Sequence, residues 1–173
     1  MIIVFVEDYN NFSQDYYNSV IDSLQLHQLT CTCGHSGCLC VHAYYSRSVF
    51  TPDGLVTIRI CRVRCEFCGK THALLLSSIV PYDRISLSDQ YDIICAYEDG
   101  TDTDAVCDAN NCIDENNVKS VILRYRRFWR QRLRSESIGL VPFASLVRGC
   151  LSVYCLQFMQ IHPTPAMPFL NTT

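Results

Sequence analysis

The first 46 residues contain no lysine or arginine, and the whole chain of 173 residues has 7 glycines, 6 prolines and one tryptophan. So little glycine and proline excludes a collagen-like or low-complexity chain. No basic stretch precedes the apolar start Ile2-Ile-Val-Phe-Val6, so the N-terminus does not read as a secretory signal. No apolar run reaches the roughly 18 residues that a membrane span requires. The nearest, 140–161, is broken by Pro142 and Arg148. The P-loop, GxSxG and HExxH patterns are all missing, which removes the commonest nucleotide-hydrolysing, esterase and zinc-protease readings. Asp99, Asp102 and Asp104 sit in a Thr- and Gly-containing turn, where acids cap helices or stay solvated. The expectation is a soluble, cytoplasmic protein that is not an enzyme. With 49% hydrophobic and 18% charged residues it can bury a core rather than remain disordered.

Cysteine, by contrast, is abundant: 12 residues, seven of them between Cys31 and Cys68. Close spacing in a chain read as cytosolic points to metal binding before disulfides. Cys65-Glu-Phe-Cys68-Gly69-Lys70 has the form of a zinc knuckle. Two thiolates three residues apart face one ion, and the following glycine lets backbone amides turn toward sulfur. The partner pair lies within Cys31-Thr-Cys33-Gly34-His35-Ser-Gly-Cys38. Cys33 is favoured as a ligand because Gly34 follows it, and its mate stays open between Cys31 and Cys38. His42 could replace a thiolate, but is read first as packing in a strand. Cys95, Cys107, Cys112, Cys150 and Cys155 are scattered singly and read as small hydrophobes.

Residues 39–50 and 54–64 are strand candidates; the second alternates Val56, Ile58, Ile60 with Thr57, Arg59, Cys61. Thr51-Pro-Asp-Gly54 between them is a turn signal, so the two form a β-hairpin flanked by the cysteine clusters. That is the arrangement of a zinc ribbon, with one structural Zn²⁺ worth on the order of 10–16 kcal/mol apparent. Residues 2–6 read as a strand and 12–26 as a helix.

After Pro81 the pattern becomes helical: Ser86 or Ser88 to about Tyr97, a short helix from Thr101 or Thr103 through Cys107, then a long helix capped by Asp114 to about Leu133. This order is that of a helix-turn-helix unit. On the third helix Val118, Val121, Ile122, Tyr125, Trp129 and Leu133 share one arc. Lys119, Arg126 and Arg130 share another within roughly 40°, with Arg127 and Arg134 beside them. Residues 116–134 hold seven basic residues and no acid, whereas 83–115 hold ten acids and only Arg84. An all-positive polar face suits a polyanion; pairing in cis with the upstream acids is the competing reading. A last helix over about 143–157 and an extended tail complete the chain.

The runs Cys33-Gly-His-Ser-Gly-Cys38, Arg59-Ile-Cys-Arg-Val-Arg-Cys65-Glu-Phe-Cys68-Gly-Lys-Thr-His72 and Ile113-Asp-Glu-Asn-Asn117 resemble a Firmicutes domain family found beside mobile-element transposases. The resemblance spans about residues 1–165. It implies a bacterial protein with a DNA-binding role in transposition and a separate transposase or integrase as partner. His72 matches a family position and is expected to support the knuckle or face DNA rather than ligate.

The expected fold is thus α+β, with strand, helix and zinc ribbon over 1–80, a helix-turn-helix-like part over 81–135, and a C-terminal helix and tail over 136–173. Expected metal ligands are drawn from Cys31, Cys33, Cys38, Cys65 and Cys68. Expected contacts to double-stranded DNA are Arg59, Arg62, Arg64 and Lys70 from the ribbon and Lys119, Arg126, Arg127 and Arg130 from the long helix. The rival reading is a protein-interaction adaptor with a structural zinc and no nucleic acid.

Overall fold

The computed structural model describes residues 1–51, 53–109 and 113–130. Cys112, the Trp129 side chain, Leu133, Arg134, Cys150, Cys155 and the expected C-terminal helix and tail lie outside the described residues.

The architecture is α+β, with strands first and helices later. β1 (Ile2–Val4) leads to α1 (Gln14–Ser23), then a 3₁₀ turn (Leu26–Gln28), β2 (Leu39–Thr51), β3 (Gly54–Cys65) and β4 (Thr71–Leu76). Three helices follow, α2 (Leu87–Glu98), α3 (Thr103–Ala109) and α4 (Glu115–Tyr125), the last running into a π-helical turn at Arg126–Arg130. The expected hairpin forms with nearly the expected bounds, closed where Thr51 pairs with Gly54 and the Thr51 hydroxyl donates to the Gly54 carbonyl at 2.9 Å. Gly54 takes φ +119°, which a residue with a Cβ avoids.

The hairpin is part of a larger sheet, in the order β1-β4-β3-β2. β4 pairs antiparallel to β3 and β1 pairs parallel to β4. Ser77 extends that parallel edge, its N–H donating to the Val4 carbonyl and its hydroxyl accepting from the Val6 N–H. α1 is shorter than expected because Ser13 caps it: its side chain accepts from the Tyr16 N–H at 3.2 Å. The helix pins itself to the sheet through Tyr17. That buried hydroxyl donates to the Leu74 carbonyl (2.9 Å) and accepts from the Cys61 N–H (2.8 Å). Burial drives the Tyr17 phenol well above its ordinary range, so it remains a neutral donor.

Buried side chains gather in two clusters. One joins α1 to the sheet through Tyr17, Ile58, Ile60, Val63, Leu74 and Ile79. The other begins at Val80 and is built from α2, α3 and α4, including Ile93, Val106, Val118 and Tyr125. Cys95 is buried in the second cluster and Cys107 packs at its edge, as small hydrophobes would. Capping follows sequence closely here. The Ser86 and Asp114 side chains accept from the N–H groups of Asp89 and Asn117, each at 3.0 Å. The Asp104 N–H at the start of α3 is met by the Asp102 carboxylate (3.3 Å), so an aspartate does the work expected of threonine.

Candidate metal centre

Four sulfur atoms converge at the end of the sheet remote from the β2–β3 turn. The Sγ atoms of Cys31, Cys33, Cys65 and Cys68 all lie within 4.8 Å of one another. Cys31 to Cys68 is 3.7 Å and Cys33 to Cys65 is 3.8 Å. A tetrahedron with metal–sulfur bonds of about 2.3 Å has edges of about 3.8 Å; these two separations match it, and all four thiols lie close enough to share one ion. They could hold a metal ion, and soft thiolates in this geometry suit zinc or iron.

Each pair is shaped by a glycine in the left-handed region. Gly34 (φ +87°) follows Cys33 and Gly69 (φ +72°) follows Cys68. The first loop is closed by the Gly34 N–H on the Cys31 carbonyl (2.8 Å) and the Cys31 N–H on the His35 carbonyl (2.9 Å). The second is closed by the Gly69 N–H on the Cys65 carbonyl and the Cys65 N–H on the Lys70 carbonyl, both 2.9 Å. These turns aim amides at sulfur, as the knuckle form predicted. The Cys68 N–H lies 3.4 Å from Cys65 Sγ and is the main reason that thiol is lowered to about 6. The Cys33 N–H does the same for Cys31, lowered to about 7 with further help from His72. Cys68 moves the other way, to about 11: the Lys70 N–H favours its thiolate, but burial and neighbouring sulfurs outweigh that donor. The amide donors thus favour the thiolate at Cys31 and Cys65, while burial and neighbouring sulfurs disfavour it at Cys68, and a bound cation would displace the protons that remain.

The question left open between Cys31 and Cys38 has a geometric answer. Cys31 completes the group of four; Cys38 does not belong to it. Cys38 Sγ touches one member, Cys65, at 3.3 Å, and lies 3.2 Å from the His35 carbonyl. That contact with Cys65, followed by burial, raises the Cys38 thiol to about 11. Cys38, one of the expected ligands, stands as a thiol beside the group of four. The cause is the tight 31–35 turn, which folds Cys31 back over Cys33 and carries Cys38 onto the start of β2.

His72 is buried, with Nε2 3.2 Å from Cys31 Sγ and Nδ1 3.3 Å from the Met1 amino group. It supports the cluster and does not face outward. His42 lies exposed at the bulge of β2 between Val41 and Ala43, away from the thiols. Sequence reasoning missed a ring contact between the two loops: His35 and Phe67 stack at 3.6 Å between centroids, although Phe67 is 68% exposed. The available signal was that each of the two loops places a ring close to its glycine.

The candidate DNA contacts are divided by the structure. Arg59, Arg62, Arg64 and Lys70 are all exposed. Strand alternation puts Arg62 and Arg64 on one face and Arg59 on the other. There the Arg59 guanidinium stacks 4.5 Å over the Tyr44 ring. On the helical side, Lys119 pairs with Glu115 one turn earlier. Arg130 pairs with the nearly buried Glu98 at 2.7 Å and lies over the Tyr97 ring. Arg124, which the helical wheel did not single out, reaches Asp83 at 3.0 Å. Arg126 and Arg127 are exposed. The helix is therefore not one uninterrupted positive face, because acids from α2 and its own first turn occupy part of it.

The chain matches no family model, no curated protein and no solved structure. What it is therefore rests on its own geometry: an α+β chain whose sheet ends in four converging thiols able to hold a metal ion.

Proposed function

We propose that this chain is a zinc-stapled, non-catalytic DNA-binding protein. One structural Zn²⁺ on Cys31, Cys33, Cys65 and Cys68 ties the 31–38 loop to the β3–β4 turn, making the sheet end a zinc ribbon. One observation carries the DNA reading: β2, β3 and β4 contain no acidic residue, while their exposed positions include Arg59, Arg62 and Arg64. A solvated sheet would ordinarily mix both signs; an acid-free one offers a positive surface to phosphates. The main contacts thus move from the helix to the sheet, with Lys70 beside them and Arg126 and Arg127 at the helix end. In this reading α2–α4 is a helix-turn-helix-like support. The resemblance to transposase-associated proteins suggests mobile-element DNA as the target, with a separate transposase or integrase doing the chemistry.

Anisotropy titration of the zinc-loaded chain against duplex DNA at several salt concentrations tests this. Three or four phosphate contacts give a log–log slope of about −3 to −4. A salt-independent affinity, or none, would overturn the reading. The ion pairs of Lys119, Arg124 and Arg130 favour one rival, an adaptor whose helical cations serve only the fold. Arg62→Glu separates the two, since an adaptor would keep its protein partner and a DNA binder would lose affinity.

A further inference from the structure

A shallow groove of about 380 Å³ opens on the Arg62 face of the sheet, lined by Tyr45, Arg47, Arg62, Thr71 and Tyr82 among others. Its size falls in the range of small-ligand sites. No acid lines it. The nearest acid along the chain, Asp83, has its carboxylate taken up by Arg124 (3.0 Å) and the Ile85 N–H (3.1 Å).

Tyr82 is the unusual member. It is 91% exposed and takes φ +61°, the only residue other than glycine recorded with a positive φ among the described residues. Bulky residues avoid that region. Arg47 holds the strained loop in place, donating through Nη2 to the Val80 carbonyl and, at 2.7 Å, to the Asp83 carbonyl. A ring so exposed contributes almost nothing to the core, yet the backbone is held in an unfavourable conformation to present it. Strain fixed by surrounding contacts is a mark of a working site. Across the groove, Arg62 donates through Nη2 to the Thr71 hydroxyl (2.9 Å), which orients the guanidinium and leaves its other N–H groups for a ligand.

We propose that this groove takes one unpaired nucleotide of a DNA strand, Tyr82 stacking on the base and Arg62 holding the phosphate. An aromatic face beside a guanidinium, in an acid-free groove, is the chemistry that recognises unstacked nucleotides. A base inside a duplex has no free face to offer. The proposal rests on the DNA-binding reading and deepens it: the ligand is the frayed or single-stranded end of a duplex rather than its interior.

The test compares two probes on the zinc-loaded full chain, a blunt duplex and the same duplex carrying a six-thymine overhang. The overhang probe binds about tenfold more tightly if one base stacks. Tyr82→Gly removes the ring while supplying the residue that the positive φ favours. It therefore leaves the melting temperature unchanged or raised, keeps blunt-duplex affinity within twofold and abolishes the overhang preference. Arg62→Gln weakens both probes. Equal wild-type affinity for the two probes overturns the groove proposal and leaves the DNA-binding reading standing. Retention of the tenfold preference by Tyr82→Gly also overturns it. Binding to neither probe overturns both readings together.

Discussion

In the helices, Lys119, Arg124 and Arg130 each meet an acid; in the sheet, no salt bridge among the described residues involves Arg59, Arg62 or Arg64. The two regions also differ in what holds them. α2, α3 and α4 close around an ordinary apolar cluster in which Cys95 and Cys107 form no metal-holding group among the described residues. The sheet has an apolar cluster too, but at its far end two loops bring four thiols together. A run of arginines therefore sits differently in the two places: in one each described ion pair ties it to an acid, in the other it stays exposed and, among the described residues, is taken up only by the ring of Tyr44 and the hydroxyl of Thr71.

Removing the metal should separate the regions most sharply. Chelation costs on the order of 10 kcal/mol of folding free energy where zinc is structural. Amide hydrogen exchange should show residues 31–40 and 62–72 losing protection while α2 and α4 keep theirs. Loss of both regions together would break the comparison.

Charge reversal comes next. Arg130→Glu sets two carboxylates together where Glu98 is 5% exposed in its side chain, and should cost on the order of 3 kcal/mol in thermal or urea unfolding. It should leave the salt dependence of DNA binding unchanged. Arg62→Glu should do the opposite, altering stability by no more than about 0.5 kcal/mol while reducing the salt slope by about one. Equal effects on both readouts from both variants would erase the distinction.

Tyr17→Phe strips a buried hydroxyl from between the Leu74 carbonyl and the Cys61 N–H. It should cost about 1–3 kcal/mol, seen as a lower urea midpoint for the sheet. The smallest contrast lies in two glycines at positive φ, Gly69 in the second knuckle and Gly100 after α2. Alanine at either should cost about 1 kcal/mol of stability. Competition with a zinc chelator should show weakened metal affinity for Gly69→Ala alone.

Local signals in the sequence were good guides where the structure is local. The Thr51–Gly54 closure of the hairpin, the Asp114 cap, the helix start at Ser86 (one of two serines the sequence offered) and the pairing of Cys65 with Cys68 each depend on a few neighbouring residues, and all stand where the residues indicated. What depended on distant partners was not legible. β4 is a short apolar run, Thr71-His-Ala-Leu-Leu-Leu76, with no alternation to mark it as a strand. Its parallel pairing with β1 joins residues about seventy positions apart. The choice of Cys31 over Cys38 turns on how the 31–35 loop folds back, which spacing alone leaves open. The Arg130–Glu98 pair likewise needed the packing of α4 against α2; the wheel could show that arginines cluster, but not which acids they would meet.

The most direct test of the metal centre is native mass spectrometry of the full chain beside its Cys38→Ser and Cys65→Ser variants. The account predicts one zinc per chain for the wild type and for Cys38→Ser, and none retained by Cys65→Ser. A metal-free wild type, or a Cys38→Ser variant that loses its zinc, would contradict it.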